Sequence, residues 1–118
     1  MEERTYEQVA LIGAGVIGSG WATRCLAKGL SVVLTDPSPD ARSQVKKTIE
    51  GAWPVLEDSG LVSQGDSTNF RFVETIQEAV EGADFIQENV PEREDLKIEV
   101  HETIDRYAAE DVVIASSS

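Results

Sequence analysis

At 118 residues the chain has room for one hydrophobic core and not for two, and residues 1–118 read as one domain. Apolar residues make up 41% and charged residues 27%, an ordinary globular balance that excludes wholesale disorder. The net charge of −12, from 22 acidic against 10 basic residues, excludes a surface built on clustered Lys and Arg, so neither nucleic acid nor an anionic membrane is an expected partner. An anionic ligand must instead be held locally, by backbone N–H groups or a helix dipole.

Gln8 to Ile12 is a short apolar run that ends at a glycine cluster, as a buried parallel strand does. From Val16 to about Lys28 the spacing turns helical, with Ile17, Trp21, Cys25 and Leu26 on the inner face and Gly29 as the stop. Ser31 to Thr35 is a second strand, closed by Asp36-Pro37. Helical spacing resumes from about Asp40 to Glu57 through Val45, Ile49, Trp53 and Leu56, and Pro54 should kink or divide that helix. Ser59 to Ser67 is a loop by composition. Phe70 to Val73 reads as a strand, Ile76 to Glu81 as a short helix ended by Gly82, and Asp84 to Gln87 as a fourth strand. A helix follows from about Glu92 to Tyr107, with Leu96, Val100, Ile104 and Tyr107 toward the core, and Val112 to Ala115 is a fifth strand.

Strands alternating with helices predict an α/β fold, a Rossmann-type doubly wound parallel sheet with strand order 3-2-1-4-5. The ligand crevice should open where the order reverses, between strands one and four. The chain stops at Ser116-Ser117-Ser118, directly after a buried-type strand, so it reads as the amino-terminal piece of something longer. The fifth strand would then be an unprotected edge, open to association. No apolar run approaches the roughly 20 residues of a membrane helix. Met1-Glu2-Glu3-Arg4 lacks the basic start of a secretory signal, and the single cysteine, Cys25, cannot form an internal disulfide. A cytoplasmic location is expected.

Gly13-Ala14-Gly15-Val16-Ile17-Gly18 carries the G-x-G-x-x-G spacing. That spacing alone is weak, and its position directly after a strand and at the opening of a helix is what gives it meaning. Gly13 permits the tight turn, Gly15 lets the backbone approach a pyrophosphate, and Gly18 allows close packing of helix on strand. The free N–H groups of the helix start supply the donors that an acidic chain cannot supply from side chains. Asp36, at the end of the second strand, stands where an acid takes the ribose hydroxyls of a dinucleotide. No Arg directly follows it, Arg42 being the nearest, so NAD is favoured over NADP. His101, the only histidine, reads as a solvated helix residue among Glu99 and Glu102. Cys25, Trp21 and Trp53 read as core, and no metal site is expected.

Val9 to Trp21, then Gln87-Glu88-Asn89-Val90-Pro91-Glu92 with Leu96-Lys97, then Ile114 to Ser118, together resemble the NAD-binding domain of the 3-hydroxyacyl-CoA dehydrogenase family over nearly the whole chain. The Gln-Glu-Asn-Val-Pro-Glu wording and Ala52-Trp53-Pro54 look most like its carnitine 3-dehydrogenase branch. The resemblance implies that Glu92 and Lys97 contact the nicotinamide half of NAD. It implies that Ala52 and Ser59 stand where the acyl-CoA branch carries CoA-holding residues, which argues against a CoA contact. It also implies that the catalytic serine, a His–Glu pair and a helical carboxyl-terminal substrate domain lie beyond Ser118. The chain alone should therefore bind cofactor without turnover, no catalytic residue falls within it, and the complete enzyme should be a homodimer acting on a small-molecule 3-hydroxy acid such as L-carnitine. The alternatives are a 3-hydroxyacyl-CoA substrate, or a non-catalytic nucleotide-binding or engineered module.

Overall fold

A computed structural model of the chain describes residues 7–62, 65–90 and 94–116. Five strands alternate with four helices: β1 (Gln8–Ile12), α1 (Gly15–Ala27), β2 (Ser31–Thr35), α2 (Ala41–Asp58), β3 (Phe70–Phe72), α3 (Ile76–Val80), β4 (Phe85–Glu88), α4 (Glu94–Tyr107) and β5 (Val113–Ser116). The strands form one sheet in the order β3-β2-β1-β4-β5, every pairing parallel. This is the doubly wound arrangement that the alternation predicts. The register pairs Ile12 with both Thr35 and Glu88, and Glu88 with Ser116, so four strands finish level at one edge of the sheet.

Both faces of the central strands are covered, which is why their sequences are continuous apolar runs. On one face Leu11, Val32 and Leu34 pack with Leu26 of α1 and with Val45 and Ile49 of α2. On the other, Ala10, Ile12, Val33 and Ile86 meet Ala79 and Val80 of α3 and Val100 and Ile104 of α4. Each fully buried Leu or Ile stabilises the fold by roughly 1.5–3 kcal/mol relative to exposure. Cys25 and Trp53 join the first core, Leu96 and Tyr107 the second. Burial pushes the Cys25 thiol up, an effect that the charge of Lys28 partly offsets.

Three expectations need correction. The inner face of α1 is not the Ile17–Trp21 stripe: Ile17 is 59% and Trp21 39% exposed, while Ser19, Ala22 and Leu26 are buried. The turn below α1 leaves no room for a Cβ even at Gly18, so the inward positions of the first turns are small residues and the large ones are turned outward. Pro54 does not divide α2, which runs unbroken to Asp58; the ring is exposed, and the packing of Val45, Ile49 and Trp53 carries the helix across the one backbone bond that Pro54 removes. His101 is not simply solvated, because its ring meets a buried carboxylate on β4. Among the described residues β5 pairs only with β4, so it is an edge strand, and no helix is long and apolar enough to cross a membrane.

Candidate functional site

The level edge where β1, β2, β4 and β5 end carries two groups of polar residues, one on each side of the glycine turn. The turn is built by local constraint. Gly13 has φ +95°, and a Cβ there would stand 3.0 Å from the carbonyl carbon and oxygen of Asn89. Its N–H donates to the Thr35 carbonyl at 2.9 Å, and its own carbonyl accepts from Asn89 Nδ2 at 3.3 Å. The turn is thus stitched to β2 on one side and to the end of β4 on the other, across the point where the strand order reverses.

A helix start leaves four backbone N–H groups without an intrahelical acceptor. In α1 these belong to the N-cap residue Ala14 and to Gly15, Val16 and Ile17, since Gly18 already donates to the Ala14 carbonyl at 2.7 Å. The Ala14 N–H is taken by Asp36 Oδ2 at 2.7 Å. Three amides remain, with no acceptor among the described residues, at the positive end of the helix dipole. At Gly15, whose φ is +56°, the position that a Cβ would fill is open space. These features fit a dinucleotide's pyrophosphate: three donors and an approach to the backbone that no side chain obstructs.

A cavity of about 530 Å³ spans the crevice from Thr35, Asp36 and Glu74 past the glycine turn to Asn89 and Val90, with Leu96, Val100 and Thr103 of α4 on its far wall. Asp36 stands at its rim. Its Oδ1 accepts from the Ser38 N–H at 2.8 Å and its Oδ2 from Ala14, so each oxygen keeps acceptor capacity for a hydroxyl. Arg42 does not approach it as a phosphate partner, because its guanidinium lies over the Phe72 ring, 5.6 Å from the centroid.

On the β4–β5 side stands Glu88, a residue the sequence reading passed over. It is fully buried at the end of β4. Its Oε1 accepts from Ser116 Oγ at 2.8 Å, meets His101 Nε2 at 2.9 Å and lies 3.6 Å from Lys97 Nζ, while Oε2 accepts from the Val90 N–H at 2.6 Å. Burial alone would push this carboxyl up. The bonds from Ser116, His101 and Val90 and the Lys97 charge outweigh it and hold the group below the usual glutamate range. A carboxylate only accepts, so His101 Nε2 carries the hydrogen. The signal was present in the sequence: Glu88 shares the pleat face of Ile86, and Lys97, His101 and Ile104 fall at i, i+4 and i+7 along α4. Of the expected site residues, the structure brings together Gly13 to Gly18 and Asp36, and places Lys97 beside Glu88. Glu92 lies outside the described residues.

Residues 8–118 match the sequence profile of the family described as 3-hydroxyacyl-CoA dehydrogenase, NAD binding domain. The chain belongs to that family. The dinucleotide that fits the site is therefore NAD, and the 3-hydroxyacyl-CoA dehydrogenase resemblance read from the sequence holds. Among curated relatives, the L-carnitine dehydrogenase of Burkholderia mallei is 52% identical over 109 residues, which is 92% of this chain and 34% of that protein. The L-carnitine dehydrogenase of Nocardiopsis dassonvillei is 49% identical over 110 residues, 93% of this chain and 33% of that protein. The chain spans about a third of the length of the curated relatives it matches. Among solved structures, an NAD+-dependent dismutase, 5-formyl-3-hydroxy-2-methylpyridine 4-carboxylic acid 5-dehydrogenase, superposes with a TM-score of 0.83 at 38% identity, covering 97% of this chain and 37% of that one. The (S)-3-hydroxybutyryl-CoA dehydrogenase of Ralstonia eutropha gives a TM-score of 0.81 at 26% identity, covering 97% of this chain and 41% of that one.

Proposed function

We propose that this chain is the cofactor-holding part of an NAD-dependent dehydrogenase that oxidises the secondary alcohol of a small 3-hydroxy acid resembling L-carnitine. The observation that carries the cofactor reading is the division of the four orphan amides of α1: Asp36 caps one, and Gly15, Val16 and Ile17 keep three for the pyrophosphate. On this reading the turn from Gly13 to Gly18 cradles the diphosphate. Asp36 takes the adenosine ribose hydroxyls and repels a 2′-phosphate, and Glu92 and Lys97 face the nicotinamide half. NAD, when bound, supplies the hydride acceptor; the residues of this chain bind and orient it.

The substrate class rests on the L-carnitine dehydrogenases at 49–52% identity, and on Ala52 and Ser59 in place of residues that would hold CoA. We further propose that the catalytic residues and the substrate domain lie in the two thirds of the relatives' length that this chain does not span. The complete protein would be a cytoplasmic homodimer, and residues 1–118 its cofactor domain.

Calorimetric titration of the chain with NADH and NADPH tests the cofactor reading. NADH should bind saturably and NADPH at least about tenfold more weakly, the effect of setting a phosphate against a fixed carboxylate. No saturable NADH binding would overturn it. For the substrate, this chain can replace the matching segment of the Burkholderia mallei enzyme. The chimera should reduce NAD with L-carnitine, and activity on 3-hydroxyacyl-CoA alone would overturn the choice.

A further inference from the structure

We propose that Glu88 is a positioning residue for the nicotinamide half of the cofactor site, acting through Lys97. The inference rests on the reading of Lys97 given above.

A fully buried carboxylate on an inner strand is unfavourable unless neighbours satisfy it, and an apolar residue would pack there without such demands. The fold therefore gains little from a glutamate at position 88. What the glutamate does is gather groups from three elements at one point. Oε1 collects Ser116 from β5 and both His101 and Lys97 from α4, and Oε2 fixes the Val90 amide. Three short hydrogen bonds immobilise the carboxylate, and at 3.6 Å the Lys97 ammonium is then held by a charge that does not move. Val90 and its neighbour Asn89 line the crevice, and Asn89 in turn donates to the Gly13 carbonyl.

The location decides which half of the cofactor this serves. Asp36 stands at the end of β2, the adenosine side of the glycine turn, and the apolar cavity reaches from it across to Val90 and α4 without including Lys97, His101 or Ser116 in its walls. Glu88 lies at the end of β4, level with Ser116 of β5, on the opposite side, where a dinucleotide that crosses the switch point brings its second nucleoside. Disturbing Glu88 should therefore affect ligands that reach past the pyrophosphate and spare those that end at it.

The test compares NADH with ADP, which has the adenosine and the diphosphate and nothing of the nicotinamide half. Binding of both to the chain is measured calorimetrically for wild type, Glu88→Gln, His101→Leu and His101→Gln. E88Q should raise the Kd for NADH about tenfold, the scale of one lost charged hydrogen bond, and that for ADP by less than about twofold. His101 is half-exposed, so its variants keep the test open should E88Q fail to fold. H101L should weaken NADH selectively, and H101Q, whose amide can still donate to Oε1, should recover most of the loss. Equal weakening of both ligands would reduce Glu88 to a structural role and overturn the proposal, as would unchanged NADH affinity in E88Q or H101L. Wild-type chain that binds neither ligand would instead overturn the cofactor reading itself, and this inference with it.

Discussion

Two glycines on α1, two residues apart, should respond to the same substitution in opposite directions. A Cβ on Gly18 would stand 2.5 Å from the Gly13 carbonyl oxygen, 3.3 Å from its carbon and 3.5 Å from Asn89 Nδ2. A Cβ on Gly20 meets nothing within 4 Å. Both positions are helical, so alanine brings each a propensity gain of about 0.5–1 kcal/mol. At Gly20 that gain is the whole effect. At Gly18 the overlap falls on a backbone oxygen that cannot retreat, because Gly13 is tied by its N–H to Thr35 and by its carbonyl to Asn89. Overpacking of this kind costs about 1–3 kcal/mol, and more where backbone must move. The expected net result for Gly18→Ala is a loss of about 1–2 kcal/mol against a gain of about 0.5–1 kcal/mol for Gly20→Ala. For a domain of this size 1 kcal/mol moves the Tm by roughly 4 °C, so the two variants should melt about 6–12 °C apart with wild type between them. Urea unfolding should give the same order. If G18A is as stable as G20A, the turn is free to yield, and the close approach of helix and strand does not carry the weight assigned to it.

Ser19 is buried, and its hydroxyl finds no hydrogen-bond partner among the described residues, so Ser19→Ala should raise the urea midpoint by the equivalent of about 1 kcal/mol; a loss of stability would show that the hydroxyl has a partner in solution. Glu88 has its pKa depressed by folding, so its stabilisation is complete above the ordinary glutamate pKa and is lost as pH falls through the lower folded value. The advantage of wild type over Glu88→Gln in urea unfolding should therefore shrink on acidification below the usual glutamate range, and an advantage that grows there would contradict the assignment. Burial holds the Cys25 thiol protonated, so iodoacetamide should label it far more slowly in the folded chain than in urea; equal rates at neutral pH would place Cys25 at the surface.

The strands were legible because both sheet faces are buried, and Gln8–Ile12 and Ser31–Thr35 consequently show unbroken apolar runs whose ends are the residues expected. The glycine turn was legible because Gly13 and Gly15 each answer a backbone demand that no other residue meets cheaply. The facing of α1 was not. Hydrophobic periodicity assumes that the largest apolar residues turn inward, and here the turn below α1 admits only small ones, which puts Ser19 and Ala22 inside and Ile17 outside. Glu88 was passed over and His101 read as solvated for a related reason. Each looks ordinary in its own element, and only the packing of α4 against β4 brings them within 2.9 Å. The shared faces of the two elements mark the pair in the sequence only once that packing is known.

Asp36 joins two backbone segments, and with the ribose role proposed for it this ties cofactor preference to conformational integrity. A change of allegiance toward NADP would call for removal of its charge, yet the same oxygens hold the Ala14 amide ahead of α1 and the Ser38 amide ahead of α2. A neutral replacement forfeits a charge-assisted bond of about 1.5–3 kcal/mol before any benefit from the new phosphate accrues. Adaptation along that route should pass through a weakened intermediate unless another acceptor for the Ala14 amide arrives first. On that proposed role, the architecture of the turn itself resists a switch of nucleotide.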